Sequence, residues 1–350
     1  MLKKLINGIL AVSIALSAAS GLAHAETKVT GAGATFPYPL YSKWFRDYQA
    51  VDTEVAFSYD AKGSGEGIKR ILARQVDFGA SDKFLSDEEL KSAPGKLLHI
   101  PTVMGAVAVA YNIPKVGTGL KLTPQALAGI YLGKITKWND PLIAKVNTKI
   151  KLPAHDIIVV HRSDSSGTTS IFTDYLSSVD TVWSGQVGKG TTVAWPVGVG
   201  AMGSSALVKQ IGEVPFSIGY VEIAYALENE LDTAALKNSG GKFVKPTMLS
   251  TRAAAKRAME GLKVKNGADP DYRLSLVNQP GRDAYPIVGL TWLLVYQEQQ
   301  DPAKGKKLVE FLTWQLRKAE KMTSTLHYTP LPDTWTDQVE RTIKSITIGQ

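Results

Sequence analysis

The stretch IIVVHRSDSSGTTSIFTDYL, residues 157–176, sets the fold class of this chain. The apolar run IIVV (157–160) is typical of a buried strand, and the spacing of apolar residues in IFTDYL (171–176) is helical. Between them, HRSDSSGTTS (161–170) combines an arginine and an aspartate with a series of serines and threonines. The stretch therefore predicts a strand, a turn rich in hydrogen-bond donors, and a helix.

The same order of strand, turn and helix recurs along the chain. VAFSY (55–59) leads through a glycine-rich turn to GIKRILAR (67–74), and VDFGA (76–80) leads to SDEELKSA (86–93). This alternation predicts α/β layers around mainly parallel sheets.

Two longer apolar runs, 103–111 and 287–296, have the length of buried strands. The segment of the chain between them is large enough to form a domain. If both ends of the chain pack together, this segment forms a second lobe that the chain enters and leaves by two crossings.

The first 25 residues predict export. Lys3 and Lys4 precede an apolar stretch that ends at Ala23-His24-Ala25, the pattern of a cleaved secretory signal peptide. The stretch is too short and too interrupted by polar residues to favour a retained membrane anchor. The chain has no cysteine, so neither a disulfide nor a lipid-modified cysteine is expected.

The formal net charge is +8, and the basic residues are scattered along the chain. Scattered charge favours solvated helix faces over a nucleic-acid surface, so no nucleic-acid partner is expected.

Three turns rich in glycine, serine and threonine each precede a helix: TGAGATFP (30–37), AKGSGEGIKR (61–70) and HRSDSSGTTS (161–170). The N-terminus of a helix has unpaired N–H donors and a partial positive charge, and it therefore holds anions. Ordinary N-capping explains each turn taken alone. The arginine beside the third turn favours an anion site, and the glycine spacings match no nucleotide motif. A bare oxyanion fits this pattern better than a nucleotide.

The sequence gives little support for an enzymatic function. His161, Asp164 and Ser166 are close in sequence, but no G-x-S-x-G elbow surrounds the serine. The histidines that follow the predicted signal peptide show no metal-binding spacing: His99, His155, His161 and His327. We therefore expect no catalytic residues, no metal and no cofactor.

Six stretches, in this order, resemble the periplasmic phosphate-binding proteins of bacterial high-affinity phosphate ABC importers. The resemblance extends over almost the whole chain after the signal peptide and rests on these stretches: TGAGATFPYPLYSKW (30–44), VDFGASD (76–82), IYLGKITKWND (130–140), VVHRSDSSGTTSIFTDYL (159–176), IGYVEIAYA (218–226) and LPDTW (331–335).

The resemblance implies a two-lobed periplasmic binding protein of the type II kind. Each lobe would be a mixed, mainly parallel sheet flanked by helices, with the ligand in the cleft between lobes. The first lobe would comprise 26–103 plus 284–350, and the second would comprise 104–283, after a signal peptide at 1–25.

The resemblance also implies a set of phosphate-binding residues: Thr35, Phe36 (through its backbone N–H), Ser64, Asp82, Arg162, Ser166, Gly167 and Thr168. Asp164 would orient Arg162, although a helix N-cap remains an alternative role for this aspartate. Two residues depart from the family pattern, Glu66 and Ser165, where small residues or glycine are common.

Asp82 gives a physical reason for selectivity. An ionised carboxylate can only accept hydrogen bonds, and phosphate near neutral pH still carries a proton, whereas sulfate carries none. Asp82 would therefore accept the proton of phosphate, whereas a sulfate oxygen would be left unpaired and repelled. An unsatisfied buried charged contact costs enough free energy to favour phosphate over sulfate by about a thousandfold.

The expected function is non-catalytic: a soluble, monomeric, periplasmic receptor without a lipid anchor delivers phosphate to an inner-membrane ABC permease and its ATPase subunits. The alternatives are a receptor for sulfate or molybdate, a secreted phosphatase, and a surface protein that scavenges phosphate or adheres without a permease.

Overall fold

The computed structural model describes residues 26–260, 272–318 and 320–349. The predicted signal peptide, 1–25, lies outside the described residues. Within these ranges, no helix is both long and apolar enough to span a bilayer.

The elements alternate as the sequence predicts. The first part of the chain contains β1 Thr27–Gly33, α1 Tyr38–Gln49, β2 Val55–Ala61, α2 Ser64–Leu72, β3 Phe78–Ser81, α3 Asp87–Lys91 and β4 Leu97–Asn112. The middle contains β5 Lys121–Leu122, α4 Pro124–Tyr131, α5 Pro141–Ala144, β6 Ile158–Arg162, α6 Gly167–Val179, α7 Thr181–Gln186, β7 Val199–Ala201, α8 Gly203–Glu213, β8 Ser217–Glu222 and α9 Ile223–Glu228. The last part contains β9 Asp232–Thr233, β10 Ala235–Lys237, β11 Phe243–Val244, α10 Met248–Glu260, β12 Val288–Tyr296, β13 Glu298–Gln299, α11 Pro302–Lys318, α12 Glu320–Thr325, β14 Thr329–Pro330, α13 Asp333–Lys344 and β15 Thr347–Ile348.

One large mixed sheet runs through the molecule, in the order β2-β1-β3-β12-β4-β8-β6-β7. At one end, β1 is parallel to β2 and β3. At the other end, β6 is parallel to β7 and β8. The strands between these groups, β12 and β4, are antiparallel to their neighbours. The sheet therefore has a parallel group on each side of an antiparallel centre.

The two apolar runs that the sequence predicts as strands form this centre. β4 is 16 residues long and is buried from Leu97 to Tyr111, which is longer than the predicted run. Its first part pairs with β12, and its second part pairs with β8, with the change of partner between Ala106 and Val107. The two parallel groups are therefore joined through β12 and the continuous strand β4. The lobe boundaries given above stay a prediction.

The α2 helix packs directly against the sheet, and Gly67 permits this approach. A Cβ atom at Gly67 would lie 2.5 Å from the carbonyl oxygen of Ala80 and 2.7 Å from the Cα of Gly33. Because helices follow the carboxyl ends of parallel strands, this packing places the first turn of α2, with Ser64, at the edge of the sheet where β1 and β3 end.

This packing predicts the effect of Gly67→Ala. The added methyl group meets backbone atoms that cannot rotate away, so we expect the free energy of unfolding to fall by ~1–3 kcal/mol. Denaturant titration of the purified protein measures this change.

The matched control is Gly185→Ala in α7, where a Cβ atom would meet nothing within 4 Å. Alanine there should leave stability unchanged or raise it by up to ~1 kcal/mol. Equal effects of the two substitutions would contradict the packing argument.

Candidate functional site

The three donor-rich turns meet in one cleft, together with the start of α8. The backbone N–H of Gly65 donates to the carbonyl of Ser165 (3.0 Å), which joins the second turn to the third. Thr35, in the first turn, shares a hydrogen bond with Ser204 in α8, with 2.8 Å between Oγ1 and Oγ. The sequence analysis assigned three of these four segments, the donor-rich turns, to a possible anion site.

Gly167 lies where the opposite walls of the cleft are in close contact. A Cβ atom on this residue would lie 2.2 Å from Ser64 Oγ and 2.5 Å from Asp82 Oδ2. Any larger residue would therefore separate the start of α6 from Ser64 and Asp82, which explains the glycine.

Arg162 ends β6 and is buried, with 3% of its surface exposed. Its Nε donates to Asp164 Oδ1 (2.7 Å) and its Nη2 donates to Asp164 Oδ2 (2.5 Å), a two-point contact. Burial alone raises the pKa of Asp164, but the hydrogen bonds and the charge of Arg162 outweigh burial and hold this pKa below its usual value. Asp164 is therefore ionised, fixes the plane of the guanidinium group and forms an ion pair with it.

Asp82 is a buried carboxyl group at the end of β3. Its Oδ1 accepts a hydrogen bond from Thr291 Oγ1 (2.7 Å), and its Oδ2 accepts one from Ser64 Oγ (3.3 Å). Burial raises the pKa of Asp82 to about 7, although the hydrogen bonds from Thr291 and Ser64 and the charge of Arg162 act in the opposite direction. Asp82 therefore changes its protonation state near neutral pH.

The start of α6 combines capping with free donors. Ser166 is the N-cap, and its Oγ accepts a hydrogen bond from the backbone N–H of Thr169 (3.1 Å). Its own O–H remains able to donate, because a hydroxyl group both donates and accepts. Thr168 is 1% exposed, and its Oγ1 has no hydrogen-bond partner among the residues that the structure describes. Capping and anion binding are thus compatible roles for this turn.

Tyrosine side chains hold the backbone of the first turn. The hydroxyl groups of Tyr225 and Tyr328 donate to the carbonyl oxygens of Thr35 (2.6 Å) and Phe36 (2.7 Å). These bonds fix Thr35 and Phe36 just before the first turn of α1.

Sequence reasoning missed two residues of the site, Ser204 and Thr291. Ser204 follows Gly203 at the start of α8, and this pair repeats the Gly63-Ser64 pattern at the start of α2, so the signal was present. Thr291 lies in the middle of the buried strand β12, where a single threonine gives no local signal.

The two departures from the family pattern both have partners. Glu66 Oε1 accepts a hydrogen bond from Arg70 Nε (2.7 Å), one turn along α2. Ser165 Oγ donates to Thr191 Oγ1 (2.8 Å). The carboxylate of Glu66 is thus neutralised by an arginine of its own helix.

In the described part of the chain, no group of three or more His, Asp or Glu residues lies close enough together to hold a metal ion.

Comparisons with known proteins place the chain in a family. A sequence profile for the PBP superfamily domain matches residues 18–318. The chain is 41% identical over 316 residues to the phosphate-binding protein PstS of Xylella fastidiosa (strain 9a5c), covering 90% of this chain and 84% of the relative. It is 41% identical over 306 residues to PstS of Pasteurella multocida (strain Pm70), covering 87% and 86%.

Among solved structures, the fold is similar to that of a high affinity periplasmic phosphate-binding protein bound with phosphate. The TM-score is 0.69 at 23% identity, and the match covers 90% of this chain and 93% of the other. This similarity confirms the predicted two-lobed α/β fold. The relatives are named for binding rather than for catalysis, in agreement with the predicted class. The chain therefore belongs to the PBP superfamily and, within it, to the PstS family of phosphate-binding proteins.

Proposed function

We propose that this protein binds inorganic phosphate in the periplasm and delivers it to an inner-membrane ABC permease with its ATPase subunits. The observation that carries the proposal is the convergence of the Arg162–Asp164 pair and several helix N-termini around the buried carboxyl group of Asp82. The proposed phosphate-binding residues are Thr35, Phe36, Ser64, Asp82, Arg162, Ser166, Gly167 and Thr168, with Asp164 orienting Arg162.

The donors suit a small oxyanion. Arg162 offers guanidinium N–H groups, Ser166 and Thr168 offer hydroxyl groups, and the start of α6 offers backbone N–H groups. A tetrahedral anion can accept all of them at once. Closure of the two lobes around it would then form the surface that the permease recognises.

Asp82 provides the proposed selectivity. In the complex, one proton lies between Asp82 and a phosphate oxygen, and monohydrogen phosphate supplies it when Asp82 is ionised. Sulfate has no proton to supply, so one of its oxygens would lie against an oxygen of the ionised carboxylate, and neither atom could donate a hydrogen bond. When Asp82 is protonated, however, its O–H can donate to a sulfate oxygen. Discrimination therefore depends on the ionised form of Asp82.

The proposal extends to the state of the protein in the cell: residues 1–25 are removed on export, and the mature protein acts as a monomer without a lipid anchor. The absence of cysteine supports the missing anchor, because no cysteine is present to carry a lipid.

Isothermal titration of the mature, phosphate-stripped protein tests the function directly. We expect tight one-to-one binding of phosphate at pH 8 that excess sulfate leaves unchanged. Equal competition by sulfate would favour another oxyanion as the ligand, and turnover of a chromogenic phosphate ester would favour a phosphatase.

The Asp82→Asn substitution should admit sulfate. An amide can donate a hydrogen bond to an unprotonated oxygen, so we expect the sulfate affinity at pH 8 to rise by about tenfold or more. Titration with sulfate measures the change, and continued rejection of sulfate by the variant would show that Asp82 does not determine selectivity.

The raised pKa of Asp82 also predicts a pH dependence. With a pKa of about 7, the protonated fraction of Asp82 in the empty site rises from roughly a tenth at pH 8 to roughly nine-tenths at pH 6. Sulfate affinity of the wild-type protein should therefore rise about tenfold between pH 8 and pH 6. In Asp82→Asn the same two titrations should agree, because residue 82 no longer titrates.

Truncation of Arg162 should weaken phosphate binding strongly. Arg162→Ala removes the guanidinium donors and leaves Asp164 as a buried, unpaired carboxylate, so we expect a loss of ~2–5 kcal/mol in binding free energy. The matched control is Arg46→Ala on the exposed face of α1, which should bind phosphate as the wild-type protein does. A similar loss in both variants would point to a general charge effect instead of a specific contact.

A further inference from the structure

Ser204 lies between two proposed ligand residues that belong to different halves of the sheet. Thr35 follows β1, in the parallel group with β2 and β3, whereas Arg162 ends β6, in the other parallel group. Arg162 Nη1 donates to Ser204 Oγ (3.1 Å), and Ser204 Oγ lies 2.8 Å from Thr35 Oγ1. Ser204 is 1% exposed. A single buried hydroxyl group therefore connects the two sides of the cleft.

The number of protons on Ser204 and Thr35 determines which hydrogen bonds their hydroxyl groups can form. A guanidinium group has no acceptor, so Ser204 must accept from Arg162. The hydroxyl groups of Ser204 and Thr35 have two protons between them, and one of these forms their mutual hydrogen bond. One O–H therefore remains for an anion, whichever of the two residues donates to the other.

The first turn of α8 is attached rigidly to the arginine side of the cleft. The backbone N–H of Gly203 donates to Asp164 Oδ1 (3.0 Å), so the carboxylate that orients Arg162 also holds the residue before Ser204. The helix itself packs against β6 and β8. Ser204 consequently has a fixed position relative to Arg162, and of its two side-chain hydrogen bonds the one with Thr35 crosses the cleft.

We propose that Ser204 is a positioning residue that couples closure of the cleft to the assembly of the phosphate site. The contact between Ser204 and Thr35 forms when the two sides of the cleft meet. In the closed form it holds the Thr35 hydroxyl group and the Arg162 guanidinium group in fixed relation to each other. This inference rests on the proposed function, because it concerns how the same site retains phosphate.

The test compares Ser204→Ala with Ser205→Ala, which removes a neighbouring hydroxyl group that is exposed. Stopped-flow measurement gives the association and dissociation rate constants of phosphate. Loss of the contact that holds the closed form should raise the dissociation rate constant of Ser204→Ala about tenfold and leave the association rate constant within about twofold. Ser205→Ala should match the wild-type protein in both.

A double-mutant cycle with Thr35→Val separates positioning from a general loss of stability. If Ser204 acts through Thr35, the double variant should bind phosphate nearly as well as Thr35→Val alone. Fully multiplicative losses, an unchanged dissociation rate constant, or an effect confined to association would each overturn the proposal. If the wild-type protein itself fails to bind phosphate, the proposed function fails first, and the two failures are thus distinguishable.

Discussion

The ion pair between Arg162 and Asp164 is the interaction on which the rest of the site depends. Because Asp164 is ionised and contacts the guanidinium group at two points, the positive charge that faces the cleft is already balanced. An anion that enters beside Asp82 must therefore be held largely by neutral donors. Helix N-termini and hydroxyl groups are the neutral groups that stabilise buried negative charge, and the cleft is built from them.

Neutral donors act over short distances, and this requirement explains the small residues around the cleft. Gly167 lies against Ser64 and Asp82, and Gly65 lies so close to Ser165 that a Cβ atom there would be 1.9 Å from its Oγ. These contacts bring α2 and α6 together with their N-termini facing each other. The glycines of the second and third turns thus allow α2 and α6 to approach each other closely, in addition to permitting the local conformation of each turn.

Much of the fold and of the site could be predicted from the sequence, because strand–turn–helix units are encoded locally. The turns at 30–37, 61–70 and 161–170 are each read from a few neighbouring residues. The N-cap role considered for Asp164 belongs to Ser166 instead. Contacts between distant segments had no such signal. Thr291 reaches Asp82 from the middle of a buried strand, across 209 residues of sequence. The family resemblance supplied the role proposed for Asp82, but the raised pKa of this residue depends on burial that no local pattern encodes.

The continuous strand β4 has a consequence for how the molecule unfolds. Its first part pairs with β12 and its second part pairs with β8, so neither half of the sheet can unfold without removing backbone hydrogen-bond partners from this shared strand. The two halves of the sheet are thus expected to melt in a single cooperative transition. A ligand bound in the cleft then protects strands far from any atom that it touches, since the equilibrium that it shifts belongs to the whole sheet.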